Sequence, residues 1–360
     1  MKHSHLLRIC AVLLCLALTL SLAACGKLGT EHRSELFAMD TFMTLVAYGP
    51  NGEAGLKAGE GVIRSMEAML DPELDTSVVY KLNRAQGLSV SVPVEVAGMF
   101  QTAKIVYDSC NQLGFKALDL SIYPLVKLWG FVDGNYYIPG DLEIAEARAL
   151  LQFDQIILSS FPSSGSYELQ MPSSCSISFG SVAKGATAGY VIEAMRNAGV
   201  TSAIISLGGN VQTLGMKPDG SKWSIGITDP NDSETYLGIL SAGETAVVTS
   251  GSYQRFFTDP ITGKVYHHLL DPRTGRPADN TLESVTVICE NGALADALST
   301  ALFVMGEKNA IRYWQSFGKA EGDYHFQMIL ITKDDEVICT YGLIDEFSLE
   351  NPYYTLRFIE

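Results

Sequence analysis

Apolar residues recur along this chain at helical spacing in some stretches and at strand spacing in others. From Ala54 to Leu70 they fall at Leu56, Val62, Ile63, Met66, Met69 and Leu70, the stripe of an amphipathic helix. That helix should stop at Asp71-Pro72, because proline disfavours a helical residue before it. Similar spacing predicts helices over Val94–Leu113, Asp141–Leu151, Gly180–Ala198, Ala293–Met305 and Lys308–Phe317, with Gly114 and Gly199 as stops. Strands are expected at Phe37–Tyr48, Gln155–Leu158, Ser166–Met171, Ser174–Phe179, Ser202–Leu207 and Trp223–Ile227. Others follow at Ala246–Ser250, Val265–Leu270, Ser284–Ile288, Gln327–Thr332 and Val337–Tyr341. Helices and strands do not alternate as βαβ units, which predicts an α+β fold. No Pro/Ser/Gly-rich linker or internal repeat divides residues 35–360, so one compact domain is expected there.

The N-terminus follows a different logic. Lys2 and Arg8 precede an apolar run from Ile9 to Leu22, interrupted by Thr19 and Ser21, too short to span a bilayer comfortably. It ends in Leu22-Ala23-Ala24-Cys25, the pattern before the lipidated cysteine of a bacterial lipoprotein. Residues 1–24 are therefore expected to be a signal peptide, with 25–34 a lipidated Cys25 and a polar tether. This predicts a membrane-anchored chain facing outside the cytoplasm.

Composition narrows the partners. The 25 Lys+Arg against 40 Asp+Glu give a formal net charge of −15, and removing Lys2 and Arg8 takes it to −17. A chain so acidic has no basic excess with which to neutralise a nucleic acid. Cys110, Cys175, Cys289 and Cys339 are widely spaced, without the CxxC or Cys/His clusters of a zinc site. Buried free thiols are favoured over any of the three pairings they allow.

Three segments carry chemistry. On the Ala293–Met305 helix, Leu294, Leu298, Ala301, Leu302 and Met305 form an apolar face, and Asp296 and Thr300 stack at i and i+4. Asp296 is the one ionisable group in a segment built for burial, with no Lys, Arg or His nearby in sequence. It is either the ligand of a hard cation or a carboxylate near a helix N-terminus facing solvent. Gly180 to Gly185 (GSVAKG) joins a strand to a helix, where main-chain amides and Lys184 could receive phosphate oxygens, or form a plain turn. The Walker order is absent. His267 and His268 precede Asp271-Pro272-Arg273-Thr274-Gly275; neighbours in a strand point to opposite faces, so at most one serves a given site.

The order of these segments resembles the ApbE family, the FAD:protein FMN transferases. The resemblance runs from Met39 to about Met305 and comprises Met39-Asp40-Thr41 through Tyr48-Gly49, Ala117-Leu118-Asp119, Pro124 to Phe131 (PLVKLWGF) and Ser178 to Gly185 (SFGSVAKG). Leu207 to Asn210 (LGGN), Thr249-Ser250-Gly251, His268 to Pro277 (HLLDPRTGRP) and Ala293 to Thr300 (ALADALST) complete it. It implies a T-fold-related α+β domain with mixed and antiparallel sheets and packed helices, and Mg2+- or Mn2+-dependent transfer of FMN from FAD to a Ser or Thr of an exported protein, releasing AMP. By the same resemblance the metal ligands are Asp296, Thr300 and the carbonyls of Ser181 and Ser299. FAD contacts fall to Met39, Ala117, Leu118, Asp119, Ser178, Lys184 and Leu270, and His268 or Asp271 takes the hydroxyl proton. Asp40 replaces the family's glycine, Ser178 its usual aspartate, and Glu73 falls near a common aromatic position. Two other outcomes of such a site are hydrolysis of FAD to FMN and AMP, and flavin carriage without turnover.

Overall fold

The structure is a computed structural model that describes residues 29–360 except Glu321 and Asp323. The expected signal peptide, residues 1–24, and Cys25 lie outside the described residues. A nine-stranded sheet organises the chain, its strands in sequence order: β1 (Glu31–Ala38), β2 (Thr41–Tyr48), β3 (Ala203–Leu207), β4 (Asn210–Leu214), β5 (Ala246–Gly251), β6 (Leu282–Cys289), β7 (Gln327–Thr332), β8 (Glu336–Thr340) and β9 (Thr355–Ile359). Neighbours are antiparallel except β8 and β9, which are parallel.

Both faces of this sheet are covered, and the two-residue strand period sorts its side chains between them. Ala246, Val248, Val285, Val287, Met328, Leu330 and Ile338 enter a core shared with helices. Val247, Ile329, Ile331, Val337 and Cys339 enter a separate core beneath a three-stranded sheet made of Trp223–Asp229, Asp232–Ala242 and Phe347–Leu349. The helical side holds four long helices: α1 (Gly52–Leu70), α2 (Val94–Gln112), α3 (Ala183–Asn197) and α4 (Gly292–Met305). Helix α4 lies against β5 and β6, with α2 and α3 packed on it, so it is buried nearly all round rather than along one stripe. The Asn291 side chain caps its start by accepting from the Leu294 amide at 3.1 Å. The whole is an α+β domain with mixed sheets, as the unordered succession of elements predicts.

Several elements depart from expectation. Phe37–Tyr48 is not one strand but the second half of a hairpin that turns at Met39 and Asp40, both at positive φ (49° and 59°). A two-residue turn with two left-handed residues favours Gly, Asn and Asp, which explains how Asp40 stands where the resemblance has glycine. Residues 31–34, expected in the tether, are the start of β1. Their alternating exposed Glu31, Arg33 and Glu35 mark an edge strand rather than a solvated linker.

Ser174–Phe179, expected as a strand, has no regular secondary structure and pairs with no strand. Its hydrogen bonds go to a side chain instead: Asn83 Oδ1 accepts from the Ile177 amide at 2.7 Å, and Asn83 Nδ2 donates to the Ile177 carbonyl at 3.0 Å. Helix α3 begins at Ala183, after a turn at 180–182. The expected strand Val265–Leu270 is split into Val265–His267 and Leu270–Asp271. The C-terminal residues have structural work: Phe347–Leu349 extends the small sheet and β9 closes the large one.

Candidate active site

Two helices meet where glycine is required. A Cβ on Gly185 of α3 would lie 2.0 Å from the Gly292 carbonyl oxygen and 2.7 Å from Asp296 Cβ; one on Gly292 would lie 2.6 Å from the Gly185 oxygen. The two backbones are therefore in direct contact. This crossing lets the Gly185 amide, in the first turn of α3, donate to Asp296 Oδ2 at 2.8 Å. Asp296 is 3% exposed. Among the described residues it has no cationic partner, and Oδ1 accepts no hydrogen bond from protein.

The surroundings of that carboxylate are oxygen atoms. Ser299 Oγ donates to the Asp296 carbonyl at 2.9 Å, and Ser250 Oγ on β5 lies 2.8 Å from Ser299 Oγ and 3.4 Å from Thr300 Oγ1. Ser181 sits in the turn just before α3. Among the described residues no group of three or more His, Cys, Asp or Glu could hold a metal. A cation here would rest on one carboxylate, a hydroxyl and main-chain carbonyls. That hard-oxygen set suits Mg2+ or Mn2+ and not zinc, and a buried carboxylate without a counter-charge fits such an ion.

His268 hangs near the same helix start. Its Nδ1 lies 3.1 Å from the Arg255 carbonyl oxygen; a carbonyl only accepts, so neutral His268 carries its proton on Nδ1 and leaves Nε2 as a lone pair. Burial first, and the Lys184 charge second, push this imidazole down to about 3. His267 turns the other way, with Nε2 3.1 Å from the Ala278 carbonyl oxygen and its ring against Phe303. The two histidines turn to different partners, although the strand ends at His267 and His268 lies just beyond it.

Asp271, the other expected proton acceptor, is already engaged. Arg273 donates through Nε and Nη2 to both carboxylate oxygens at 2.8–3.1 Å and through its amide to Oδ1 at 2.8 Å. The Gly275 amide donates to the Asp271 carbonyl at 2.7 Å, and Trp129 Nε1 to the Gly275 carbonyl at 2.9 Å. These bonds lock the turn after His268, so Asp271 is built to hold shape.

The expected flavin contacts lie in two places. Met39, at the hairpin turn, donates its amide to Glu67 at 2.9 Å and packs towards Thr187 of α3. Asp119 accepts from the Ser121 amide at 2.8 Å, and burial raises its carboxyl to about 6. The next residue ties this segment to Ser178, whose amide donates to the Leu120 carbonyl at 2.9 Å; Ser178 Oγ accepts from the Gly180 amide at 3.2 Å. Ala117, Leu118 and Leu270 are buried in apolar clusters. Glu73 is bound by the Tyr123 hydroxyl and by Lys127 at 3.2 Å, a polar clasp rather than an aromatic platform. Cys110, Cys175, Cys289 and Cys339 are buried and free.

Sequence reasoning missed Ser250, Arg273 and Gly292. Ser250 had a signal: a polar residue at the strand period of Ala246 and Val248, hence facing α4.

Comparisons with known proteins agree with the family resemblance and the fold. The description of the ApbE family matches residues 39–322. An FAD:protein FMN transferase of Klebsiella pneumoniae (strain 342) is 36% identical over 250 residues, 68% of this chain and 73% of the relative. One from Haemophilus influenzae is 27% identical over 319 residues, 83% of this chain and 88% of that one. Among solved structures, the ApbE protein of Thermotoga maritima superposes with a TM-score of 0.74 at 25% identity, covering 84% of this chain and 95% of the other.

Proposed function

The chain belongs to the ApbE family, and from that premise we propose that it is an FAD:protein FMN transferase that moves FMN from FAD onto a Ser or Thr hydroxyl of an exported protein. The observation that carries this reading is the α3–α4 crossing, which sets a buried, uncompensated carboxylate beside the main-chain amides and Lys184 of a helix start. The Ala183 and Gly185 amides are spent on the Phe179 carbonyl and Asp296, so a phosphate oxygen here would meet the positive end of the helix and the Lys184 ammonium.

Asp296, Thr300 and the carbonyls of Ser181 and Ser299 would hold Mg2+ or Mn2+, which supplies charge neutralisation at a diphosphate. The remaining work falls to the chain. Lys184 binds a phosphate oxygen. His268, neutral at pH 7, takes the acceptor's hydroxyl proton on Nε2. The hydroxyl oxygen bonds to the phosphorus on the riboflavin side, the bond from that phosphorus to the bridging oxygen breaks, and AMP leaves with that oxygen. Met39 on one side and Asp119 and Ser178 on the other would hold the flavin nucleotide, with Ala117, Leu118 and Leu270 as apolar contacts. Asp271 keeps His268 in place through its locked turn.

We also assign Cys25 as a lipidated residue that tethers the enzyme to the outer face of the cell membrane, on the strength of Leu22-Ala23-Ala24-Cys25. Metabolic labelling with a palmitate analogue tests this; a Cys25→Ala chain that stays labelled contradicts it. Transfer is tested by mass spectrometry of an acceptor incubated with FAD and Mg2+, alongside AMP measurement.

A further inference from the structure

We propose that Ser250 is a positioning residue for the cation site, fixing the direction of the Thr300 hydroxyl so that the Thr300 Oγ1 lone pairs stay available. The proposal rests on the reading of Asp296 and Thr300 as ligands of a divalent cation.

The argument is a proton count along three hydroxyls. Ser299 has one hydroxyl proton, and it goes to the Asp296 carbonyl oxygen at 2.9 Å, which can only accept. In the 2.8 Å contact between Ser250 and Ser299 the donor must then be Ser250. That spends the only proton Ser250 has. In the 3.4 Å contact between Ser250 and Thr300 the donor is therefore Thr300. Its proton points back at β5, and its lone pairs face elsewhere. All three directions follow from the one Asp296 carbonyl at the end of the chain.

Burial makes the chain directional in practice. Ser299 is 0% and Ser250 6% exposed, so water offers little competition for their protons. Ser250 stands two residues from Val248 on the helix-facing side of β5, where an apolar residue would pack against α4 without needing a partner. A hydroxyl there serves a different end. With Ser250→Ala the Thr300 proton loses its acceptor and is free to turn outward, opposing a positive charge. Groups behind metal ligands commonly tune affinity in this way.

The test is Mn2+ titration of the flavin-free protein, read by electron paramagnetic resonance of unbound Mn2+, with melting temperatures taken without metal. Ser250→Ala should weaken Mn2+ binding roughly 10–100-fold, the scale of losing such a supporting group, and Ser250→Thr should restore most of it. Ser299→Ala frees the Ser250 proton to occupy Thr300 Oγ1, so it should weaken Mn2+ as well. The double variant should be no weaker than the worse single one. If Ser250→Ala and Ser299→Ala both bind Mn2+ as the unaltered protein does, the proposal fails and the cation site stands. If the unaltered protein binds no Mn2+, the cation reading fails and takes the proposal with it. A lowered melting temperature with unchanged Mn2+ affinity identifies a packing role and overturns the positioning one. Should Ser250→Ala not fold, Ser299→Ala and Ser250→Thr decide the matter alone.

Discussion

The Gly185 amide donates to Asp296 Oδ2 at 2.8 Å across two helices whose backbones touch at Gly185 and Gly292. One contact thus joins the helix start that can receive phosphate to the carboxylate that can hold a cation. Gly185→Ala should separate them. Its methyl has no room against the Gly292 carbonyl, so stability should fall by about 1–3 kcal/mol, the usual cost of forced overpacking. Urea unfolding measures that cost, and Mn2+ affinity should fall with it. An unchanged midpoint would show that the helices can part freely.

Asp296→Asn keeps a hydrogen-bond acceptor for the Gly185 amide but removes the charge. The fold should survive, with a melting temperature no lower than that of the unaltered protein. AMP release from FAD with Mg2+ should drop roughly 10²–10³-fold, the scale of losing one group that stabilises transition-state charge. Unaltered AMP release would remove Asp296 from the metal site.

His268 makes a pH prediction with a definite sign. Its folded value, about 3, lies below the ordinary 6.5. Below pH 6.5 the unfolded chain gains a proton that the folded chain refuses, so this group's stability contribution is full above 6.5. It is lost as pH falls from there towards the folded value. Histidine ring resonances followed by NMR should show His268 neutral from pH 8 down to about 5. A midpoint near 6.5 would contradict the half-buried position close to Lys184. His268→Gln should flatten this part of the stability profile.

Asp271 and His268 separate by the kind of damage each substitution does. Asp271→Asn loosens the Arg273 clasp and the turn it locks, so it should lower thermal stability and the rate while leaving the shape of the pH–rate profile unchanged. His268→Gln should change that shape. If Asp271→Asn removes the acidic limb instead, Asp271 is the proton acceptor and the assignment reverses.

Trp129→Phe leaves the Gly275 carbonyl without its buried donor. That should cost about 1–3 kcal/mol, read by urea unfolding, and a neutral result would show that the turn holds without it.

How much of this was legible in the chain depended on whether the controlling contact was local. Helices α1, α2 and α4 follow from apolar spacing because their burial is set by residues three and four apart. Asp296 was visible as a charge in an apolar helix, and among the described residues no Lys, Arg or His forms an ion pair with it. The edge strand β1 was hidden because its exposed positions are charged, as edges need to be. Ser174–Phe179 looked like a strand from composition, yet Asn83, far away in sequence, supplies the hydrogen bonds a neighbouring strand would have given. Asp271 looked free because its partner Arg273 reads as a turn residue, and only coordinates show the guanidinium folded back onto it. The hydroxyl chain through Ser250 joins β5 to α4 over some fifty residues of sequence, a distance that no local pattern spans.

The central claim is that FMN passes to a protein hydroxyl. Its most direct measurement is intact-mass and peptide mass spectrometry of an exported acceptor domain incubated with this enzyme, FAD and Mg2+. The account predicts an acceptor peptide heavier by one FMN phosphodiester on a Ser or Thr, one AMP released for each, and both products cut roughly 10²–10³-fold with Asp296→Asn. Free FMN and AMP with an unmodified acceptor would contradict transfer, and FAD left intact would contradict catalysis.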